Sequence, residues 1–169
     1  MLNGNQKVDA IAWEAKKQGV SYGMFSAMLK EDRKQQIYKA YESYLEEKQA
    51  ETGKAMQELY WDQDRFIRGY TEEGAQIGAA RDPEANLWLN PQSWAVISGL
   101  SSDGQSDTVL SNVYERLNTP YGALLMDPPY HTHAFDGALA VIYNQGTKEN
   151  AGIFSQSQGW LVLAEALRG

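Results

Sequence analysis

The hydrophobic and polar positions follow a helical period over the first third of the chain and lose it afterwards. From Lys30 to about Leu59 nearly every residue is a strong helix former, and apolar or aromatic side chains recur at i, i+4 and i+7. This stripe consists of Ile37, Tyr41, Tyr44 and Leu45, and Lys48 continues it. The spacing predicts a long helix whose stripe packs against a core or a partner, with the Thr52-Gly53 step as the point where it would break in two.

Two shorter helices are predicted before the long one. Residues 6–18 carry apolar side chains on one helical face, and Gly19 follows them as a helix stop. Ser21 is a candidate cap for a second helix that runs to Leu29.

After Trp61 the predicted elements become shorter. Residues 65–70 are aromatic and β-branched, which predicts a short strand or an extended loop, and residues 86–90 predict another extended piece. Three further helices are predicted: Gln92 to Gly99 with Asn90 as cap and Pro91 in the first turn, Ser106 or Asp107 to Leu117, and Gly159 to Leu167.

Residues 119–150 form a long, loop-rich stretch between the last two predicted helices. It contains Thr-Pro-Tyr-Gly and Asp-Pro-Pro-Tyr, and loops of this length with many aromatics are more often functional than not. Helices joined by such loops, together with short strands, predict a mainly α fold. We interpret it as part of a helical barrel whose loops build a site at one end.

Composition narrows the possible functions. The 169 residues are 43% hydrophobic and 22% charged, which is typical of a globular chain. The net charge of −7 argues against a general nucleic-acid binder. The absence of Cys and the presence of only 2 His exclude disulfides, thiolate metal sites and a three-His metal site. We expect no membrane span, because no apolar run of ~18 residues exists. We expect no signal peptide, because Met1 to Lys17 has no apolar h-region, and we expect the protein in the cytoplasm.

The charge is unevenly distributed along the chain. Residues 1–50 carry 8 basic and 7 acidic side chains, whereas residues 51–169 carry 7 basic and 15 acidic ones. The second part also contains all 5 Pro and 4 of the 5 Trp. This shift predicts two parts, a helical segment over 1–50 and a second region over 51–169.

Asp62 and Asp64 are the carboxylates with the least ordinary surroundings. They follow Trp61 and precede Phe66, and an acid flanked by large aromatics can be desolvated, which raises a carboxyl pKa toward general-acid use. The alternative is that one of them simply pairs with a neighbouring arginine, Arg65 or Arg68.

Lys148, Glu149 and Asn150 form a second polar cluster, placed before the last apolar helix. A carboxylate that accepts from two hydroxyls, beside an ammonium and an amide that donate, suits a polyhydroxylated ligand. The alternative is a charge cluster at a helix start, with Glu149 or Asn150 serving the helix N-terminus.

Two other groups of residues carry weaker signals. His131 and His133 form an H-x-H pair, but without a third His we assign no metal site. Four aromatic side chains can stack on sugar faces or pack in a core: Tyr121, Tyr130, Trp94 and Trp160.

Five segments of the chain together resemble the motifs of one family. The first, Trp61-Asp62-Gln63-Asp64-Arg65-Phe66-Ile67-Arg68-Gly69-Tyr70, is similar to the motif Trp-Asp-Gly-(Glu/Asp)-Trp-Phe-x-Arg-x-Tyr of glycoside hydrolase family 94, the inverting disaccharide phosphorylases. The other four segments are residues 89–99, residues 115–122, residues 125–130 and residues 148–154, the last followed by residues 158–160 and 164–167. They occur in order at family-like spacing, so the resemblance covers residues 60–169, and no family is recognised in residues 1–45.

The resemblance implies a fold and a set of roles. It implies part of an (α/α)6 barrel. It aligns Asp62 with the general acid that protonates the glycosidic oxygen, and it aligns Lys148 and Glu149 with groups that hold the leaving sugar. Tyr130 is a further candidate for substrate binding. No organic cofactor or metal is implied, because inorganic phosphate is the co-substrate and the nucleophile.

The sequence departs from the family pattern at several places. Gln63 replaces the usual Gly, Arg65 replaces an aromatic residue, and Gln156 replaces a His that contacts phosphate, so this position can donate a hydrogen bond but brings no positive charge. The upstream Arg-and-Asp segment and the downstream Thr-Gly have no counterpart. We therefore expect the isolated chain not to turn over substrate.

Three hypotheses for function follow. The first is a fragment of an inverting glycoside phosphorylase that cleaves β-linked disaccharides with phosphate to give a sugar 1-phosphate. The second is an inactive carbohydrate-binding or interaction module that keeps part of the sugar site. The third is a non-functional reading frame whose uncovered apolar faces drive aggregation. The expected partners are a carbohydrate and either a second copy or the missing barrel portion.

Overall fold

The computed structural model describes residues 1–132 and 142–169 and divides the chain into two units, Met1–Lys54 and Ala55–Gly169. Within the described residues the chain is mainly helical. No helix in these two stretches is both long and apolar enough to cross a membrane.

The first unit is built from α1 (Gly4–Lys17), α2 (Tyr22–Met28) and the larger part of α3 (Glu31–Tyr60). Asn3 caps α1 in a capping box with Gln6, which satisfies two backbone N–H groups at the helix start.

The predicted stripe of α3 forms the packing face of this unit. Ile37 is buried, and the Trp13 ring lies 5.4 Å from the Tyr41 ring and 5.2 Å from the Tyr44 ring. The helix continues without a break through Thr52-Gly53, so the predicted interruption is wrong. A single Gly in a helix costs only about 1 kcal/mol, less than the flanking helix formers supply together.

The second unit begins with two short hairpins. β1 (Trp61–Asp62) pairs with β2 (Arg65–Phe66), and β3 (Gly69–Tyr70) pairs with β4 (Gln76–Ile77), both antiparallel. The extended character predicted for residues 65–70 is confirmed, in the form of two strands with a break between them.

Two further antiparallel pairs follow. β5 (Leu87–Trp88) pairs with β8 (Met126–Asp127), and β6 (Asn118–Thr119) pairs with β7 (Gly122–Ala123). The β5–β8 pair brings the segment near residue 88 against the one that leads to Tyr130, although the two are far apart in sequence.

The helices of this unit begin earlier than the sequence predicted. α4 (Leu89–Ile97) has Trp88 as its N-cap, so Asn90 lies inside the helix and is not its cap. α5 (Asp103–Asn112) is capped by Ser102 rather than Ser106, and α6 (Ser155–Arg168) starts ahead of the predicted Gly159.

A π-helical turn over Val113–Leu117 extends α5 to the predicted end at Leu117. Two clusters of buried apolar side chains hold α4, α5 and α6 to the strands. The first contains Phe66, Ala95, Val109, Leu110 and Ala164, and the second contains Leu87, Leu89, Val113, Leu117 and Ala123.

Candidate functional site

Asp62 lies at the end of β1, at the turn of the first hairpin. The residue is half-buried, and its Oδ2 accepts a hydrogen bond from the backbone N–H of Ala80 at 2.7 Å. Within residues 1–132 and 142–169 this is the only hydrogen bond to its carboxylate. One carboxylate oxygen is thus held by the turn at residues 78–82, and the other keeps its hydrogen-bonding capacity.

Asp64, not Asp62, forms the arginine pair that the sequence left open. Arg65 donates from Nε to Oδ1 at 2.7 Å and from Nη2 to Oδ2 at 3.1 Å. These hydrogen bonds, with the charge of the guanidinium, hold the pKa of Asp64 below its usual value. Arg68 pairs with neither acid, and its guanidinium lies 5.5 Å from the centre of the Trp88 ring.

Asn150 organises the second polar cluster from inside. Its buried Oδ1 accepts from the Tyr130 N–H at 2.7 Å, and its Nδ2 donates to the Tyr130 carbonyl at 3.0 Å and to the Tyr143 carbonyl at 2.9 Å. The alternative in which Asn150 serves the start of α6 is wrong, because α6 begins only at Ser155. The sequence predicted that this amide would donate to a ligand, whereas in the structure it is bound to backbone groups of Tyr130 and Tyr143.

Lys148 and Glu149 lie exposed on the tight turn that leads to Asn150. The Lys148 ammonium is 4.9 Å from the centre of the Tyr143 ring, a cation–π distance. The Gly152 N–H donates to the Lys148 carbonyl at 2.9 Å, and a Cβ at position 152 would lie 2.4 Å from that oxygen. Only glycine permits this approach, so position 152 cannot carry a side chain without moving the turn.

Tyr130 is buried beside two carboxylates. Burial, followed by the negative charges of Asp82 and Glu84, raises the pKa of its phenol to about 12. Glu84 in turn accepts from the N–H of Thr132 at 3.1 Å, and the Trp88 ring lies 6.5 Å from the Tyr130 ring. The hydroxyl therefore stays protonated at any physiological pH and can act as a donor.

Residues 78–88 contact both halves of the candidate site. Ala80 bonds to Asp62, whereas Asp82 and Glu84 face Tyr130. Gln156 lies exposed in the first turn of α6, and within the described residues it makes no hydrogen bond to the other candidates.

The remaining candidates are the aromatic side chains and the two histidines. Tyr121 is exposed, and Trp94 is exposed but packs edge-on against Trp160 at 5.3 Å. His131 is exposed, whereas His133 lies outside the described residues. Among residues 1–132 and 142–169 no cluster of three His, Cys, Asp or Glu side chains could hold a metal ion.

The comparison with known families is decisive for ancestry. The model of the glycosyl hydrolase 94 superfamily, catalytic domain, matches residues 18–169. The chain belongs to the glycosyl hydrolase 94 superfamily. The match begins well before the motifs at residue 60 and includes α2 and α3. The catalytic domain of this family is an (α/α)6 barrel, of which the chain contains a part.

Curated relatives from this superfamily carry phosphorylase and synthase names. The chain is 37% identical over 103 residues to cellobionic acid phosphorylase of Neurospora crassa, covering 61% of this chain and 13% of the relative. It is 36% identical over 111 residues to N,N'-diacetylchitobiose phosphorylase of Vibrio proteolyticus, covering 64% and 14%. It is 30% identical over 114 residues to the cyclic beta-(1,2)-glucan synthase NdvB of Rhizobium meliloti, covering 66% and 4%. The chain thus spans about a seventh of the two phosphorylases.

The departure at Gln63 from the family 94 motif has a visible conformational cost. Gln63 has φ of 60°, in the left-handed region where glycine is favoured. The N–H of Asp64 donates to the Asp62 carbonyl at 2.8 Å across this residue, so Gln63 forms the tight turn in spite of its side chain.

Tyr130→Phe tests the environment of the buried phenol. We expect the tyrosinate absorbance of the wild type to include a component that titrates near pH 12, and this component to be missing in Tyr130→Phe. Because the folded pKa lies above the unfolded value of about 10, the unfolded state loses its proton first. The free energy of unfolding therefore falls between about pH 10 and pH 12. This fall should be shallower in Tyr130→Phe, and loss of a component near pH 10 instead would show an exposed phenol.

Proposed function

We propose that this chain is part of an inverting glycoside phosphorylase that cleaves a β-linked disaccharide or oligosaccharide with inorganic phosphate. A phosphate oxygen attacks the anomeric carbon, the bond from that carbon to the glycosidic oxygen breaks, and the leaving oxygen takes a proton from the enzyme. The products are a sugar 1-phosphate of inverted configuration and a free sugar. Family membership and the phosphorylase relatives support this interpretation.

Asp62 is the candidate proton donor within this proposal. The observation that carries the assignment is its half-buried carboxylate, fixed through one oxygen by the Ala80 N–H at 2.7 Å. A side chain that is held at one atom and keeps another oxygen for a ligand suits general-acid catalysis. The resemblance supplies the role, since Asp62 stands in the Trp-Asp motif.

Lys148, Glu149 and Tyr130 are the candidate contacts to the leaving sugar, and Gln156 is the candidate contact to phosphate. Glu149 accepts from two hydroxyls, whereas Lys148 and the protonated Tyr130 hydroxyl donate. The hydrogen bonds between Asn150 and Tyr130 support a common site for Tyr130 and the two residues that precede Asn150. Gln156 offers an amide donor without the charge that tightens phosphate binding.

A segment exchange tests the reaction. Residues 60–169 replace the matched segment of the Vibrio proteolyticus N,N'-diacetylchitobiose phosphorylase. Release of sugar 1-phosphate is then measured in the presence of phosphate, with N,N'-diacetylchitobiose or cellobiose as the disaccharide. We expect sugar 1-phosphate from the exchanged enzyme and none from the isolated chain. An exchanged enzyme that folds like its parent but releases no sugar 1-phosphate from any β-linked disaccharide would contradict the proposal.

The second candidate function is a carbohydrate-binding module without turnover. The exposure of Lys148 and Glu149 on a turn formed within this chain favours it, because sugar contact there needs no other segment. For the isolated chain we expect Glu149→Ala to remove the binding of glucose or cellobiose in calorimetry. Glu165→Ala, at an exposed glutamate on α6, is the matched control and should bind like the wild type. Unchanged binding in Glu149→Ala would exclude this residue from the site.

Association with other protein segments belongs to the same proposal. Three apolar side chains of α6 are exposed to 66%, 46% and 61%: Val162, Leu163 and Leu167. We assign this face to contact with the remaining helices of a barrel, or with a second copy when those helices are missing.

A further inference from the structure

Asn86 lies between two arginines from distant parts of the second unit. Its Oδ1 accepts from Arg65 Nη1 at 3.0 Å and from Arg116 Nη2 at 2.8 Å. Arg65 Nη1 also donates to the Asn86 carbonyl at 2.9 Å. Charge-assisted hydrogen bonds therefore fix this neutral residue through its side chain and its backbone, and each is stronger than a bond between neutral groups.

One branch from Asn86 leads to Asp62. The Asn86 Nδ2 donates to the Asp82 carbonyl at 2.8 Å, and Asp82 Oδ2 accepts from the N–H groups of Gly78 and Ala79 at 2.9 Å each. The next N–H along the chain, that of Ala80, is the donor to Asp62. The turn that orients the Asp62 carboxylate is thus anchored by the amide of Asn86.

The other branch leads to Tyr130. Arg116 Nη2 donates to Asp127 Oδ2 at 2.7 Å, and its Nε donates to the same oxygen at 3.2 Å. Asp127 ends β8 and shortly precedes Tyr130, whose N–H and C=O are both held by Asn150. Arg116 therefore joins Asn86 to the segment that leads from β8 to Tyr130.

We propose that Asn86 is a positioning residue that sets Asp62 and the hydrogen-bonded pair of Tyr130 and Asn150 in one geometry. An asparagine suits this place because it offers an acceptor to the two guanidiniums and a donor to the Asp82 carbonyl. An aspartate at this position still accepts from Arg65 and Arg116, but it cannot donate to the Asp82 carbonyl. Asn86→Asp therefore disturbs the Asp62 branch and leaves the Tyr130 branch intact. The inference rests on the proposed function for the roles of Asp62 and Tyr130 in catalysis and binding. The hydrogen-exchange test of the Asn86 contacts does not depend on it.

The experiment follows two amide groups of the whole chain by NMR hydrogen exchange. The Ala80 backbone N–H reports the Asp62 branch, and the Asn150 side-chain amide reports the Tyr130 branch. For Asn86→Asp we expect Ala80 to exchange roughly tenfold faster, as for the loss of one buried hydrogen bond, while Asn150 stays unchanged. For Arg116→Lys we expect faster exchange at Asn150 and unchanged exchange at Ala80, because Arg65 still binds Asn86.

If Asn86 contributed only to overall stability, the exchange rates of both amides would rise together in both variants, in proportion to the loss in free energy of unfolding. That result, or no change at either amide, would overturn the inference. The Arg116 side chain is 30% exposed, so Arg116→Lys should fold even if Asn86→Asp does not. Faster exchange at Ala80 in Arg116→Lys, or no change at Asn150, would then contradict the two separate branches.

The exchanged enzyme adds a kinetic readout. Asn86→Asp should lower kcat with little change in KM for the disaccharide, because it disturbs Asp62. Arg116→Lys should chiefly raise KM, because it disturbs the segment that positions Tyr130, a candidate contact to the sugar. Absence of sugar 1-phosphate in the wild-type exchange, with the two amides still separating, would count against the proposed function and leave the positioning role of Asn86 standing.

Discussion

In a phosphorylase that contains this segment, Asp62→Asn is expected to lower kcat about 10²–10⁴-fold, the usual contribution of a general acid. The asparagine is nearly isosteric and keeps an oxygen to accept the Ala80 N–H, so the hairpin and the turn should keep their positions. It has no acidic proton, and the leaving sugar must then depart as an alkoxide. The measurement is sugar 1-phosphate release by the exchanged enzyme and by its Asp62→Asn variant, at saturating disaccharide and phosphate.

The leaving group separates acid catalysis from other losses. A glycoside of an acidic phenol needs little protonation as it leaves, so Asp62→Asn should cost far less activity with such a substrate than with a disaccharide. Asp62→Ala serves as the structural comparison, because it removes the acceptor of the Ala80 N–H as well. If Asp62→Asn keeps wild-type turnover while Asp62→Ala loses stability, the carboxylate serves the hairpin and not the reaction.

Local chemistry made part of the site predictable. The Asp64–Arg65 pair joins sequence neighbours, so the sequence alone limits the ion pair to a few neighbouring partners. Which aspartate would pair was not predictable, because that depends on the hairpin: Asp62 ends β1, whereas Asp64 lies in the turn next to Arg65.

Helix limits show how tertiary contacts override local signals. Asn90-Pro91 has the form of a cap and first turn, yet α4 begins at Leu89 because β5 pairs with β8 up to Trp88. The cost is visible at Asn90, whose Oδ1 is buried without a hydrogen-bond partner in the described part of the chain. The ends of the long helix α3, by contrast, were predicted to within one residue because strong helix formers run from Lys30 to Leu59, although the predicted break at Thr52-Gly53 is wrong.

The network around Asn86 has no signal in the sequence. Its partners Arg65 and Arg116 lie 21 and 30 residues away, and nothing in the local pattern distinguishes this asparagine from one in a turn. Such contacts are fixed only when the strand pairs bring distant segments together. The motifs therefore identified ancestry and candidate contacts, whereas the residues that hold those contacts in place became visible only in the fold.

Gln92→Leu is expected to destabilise the second unit by about 2–6 kcal/mol, because it leaves two buried backbone groups without partners at about 1–3 kcal/mol each. Gln92 is fully buried; its Oε1 accepts from the Phe66 N–H at 2.8 Å and its Nε2 donates to the Phe66 carbonyl at 2.8 Å. The Ile67 N–H bonds to the Tyr60 carbonyl across the hairpin, so by the alternation of an antiparallel ladder the backbone polar groups of Phe66 face away from β1. The side-chain amide of Gln92 takes the place of a neighbouring strand.

Gln158→Leu provides the matched control for this prediction. Gln158 makes the same double hydrogen bond to Ala123, accepting from its N–H at 2.8 Å and donating to its carbonyl at 2.9 Å. Gln158 is only half-buried, so water can replace part of what the leucine removes, and the loss should be smaller than at Gln92. Urea unfolding followed by tryptophan fluorescence measures both variants, since 4 of the 5 Trp lie in residues 51–169. Equal losses at the two positions, or a Gln92→Leu variant as stable as the wild type, would show that burial of the amide does not hold the hairpin against α4.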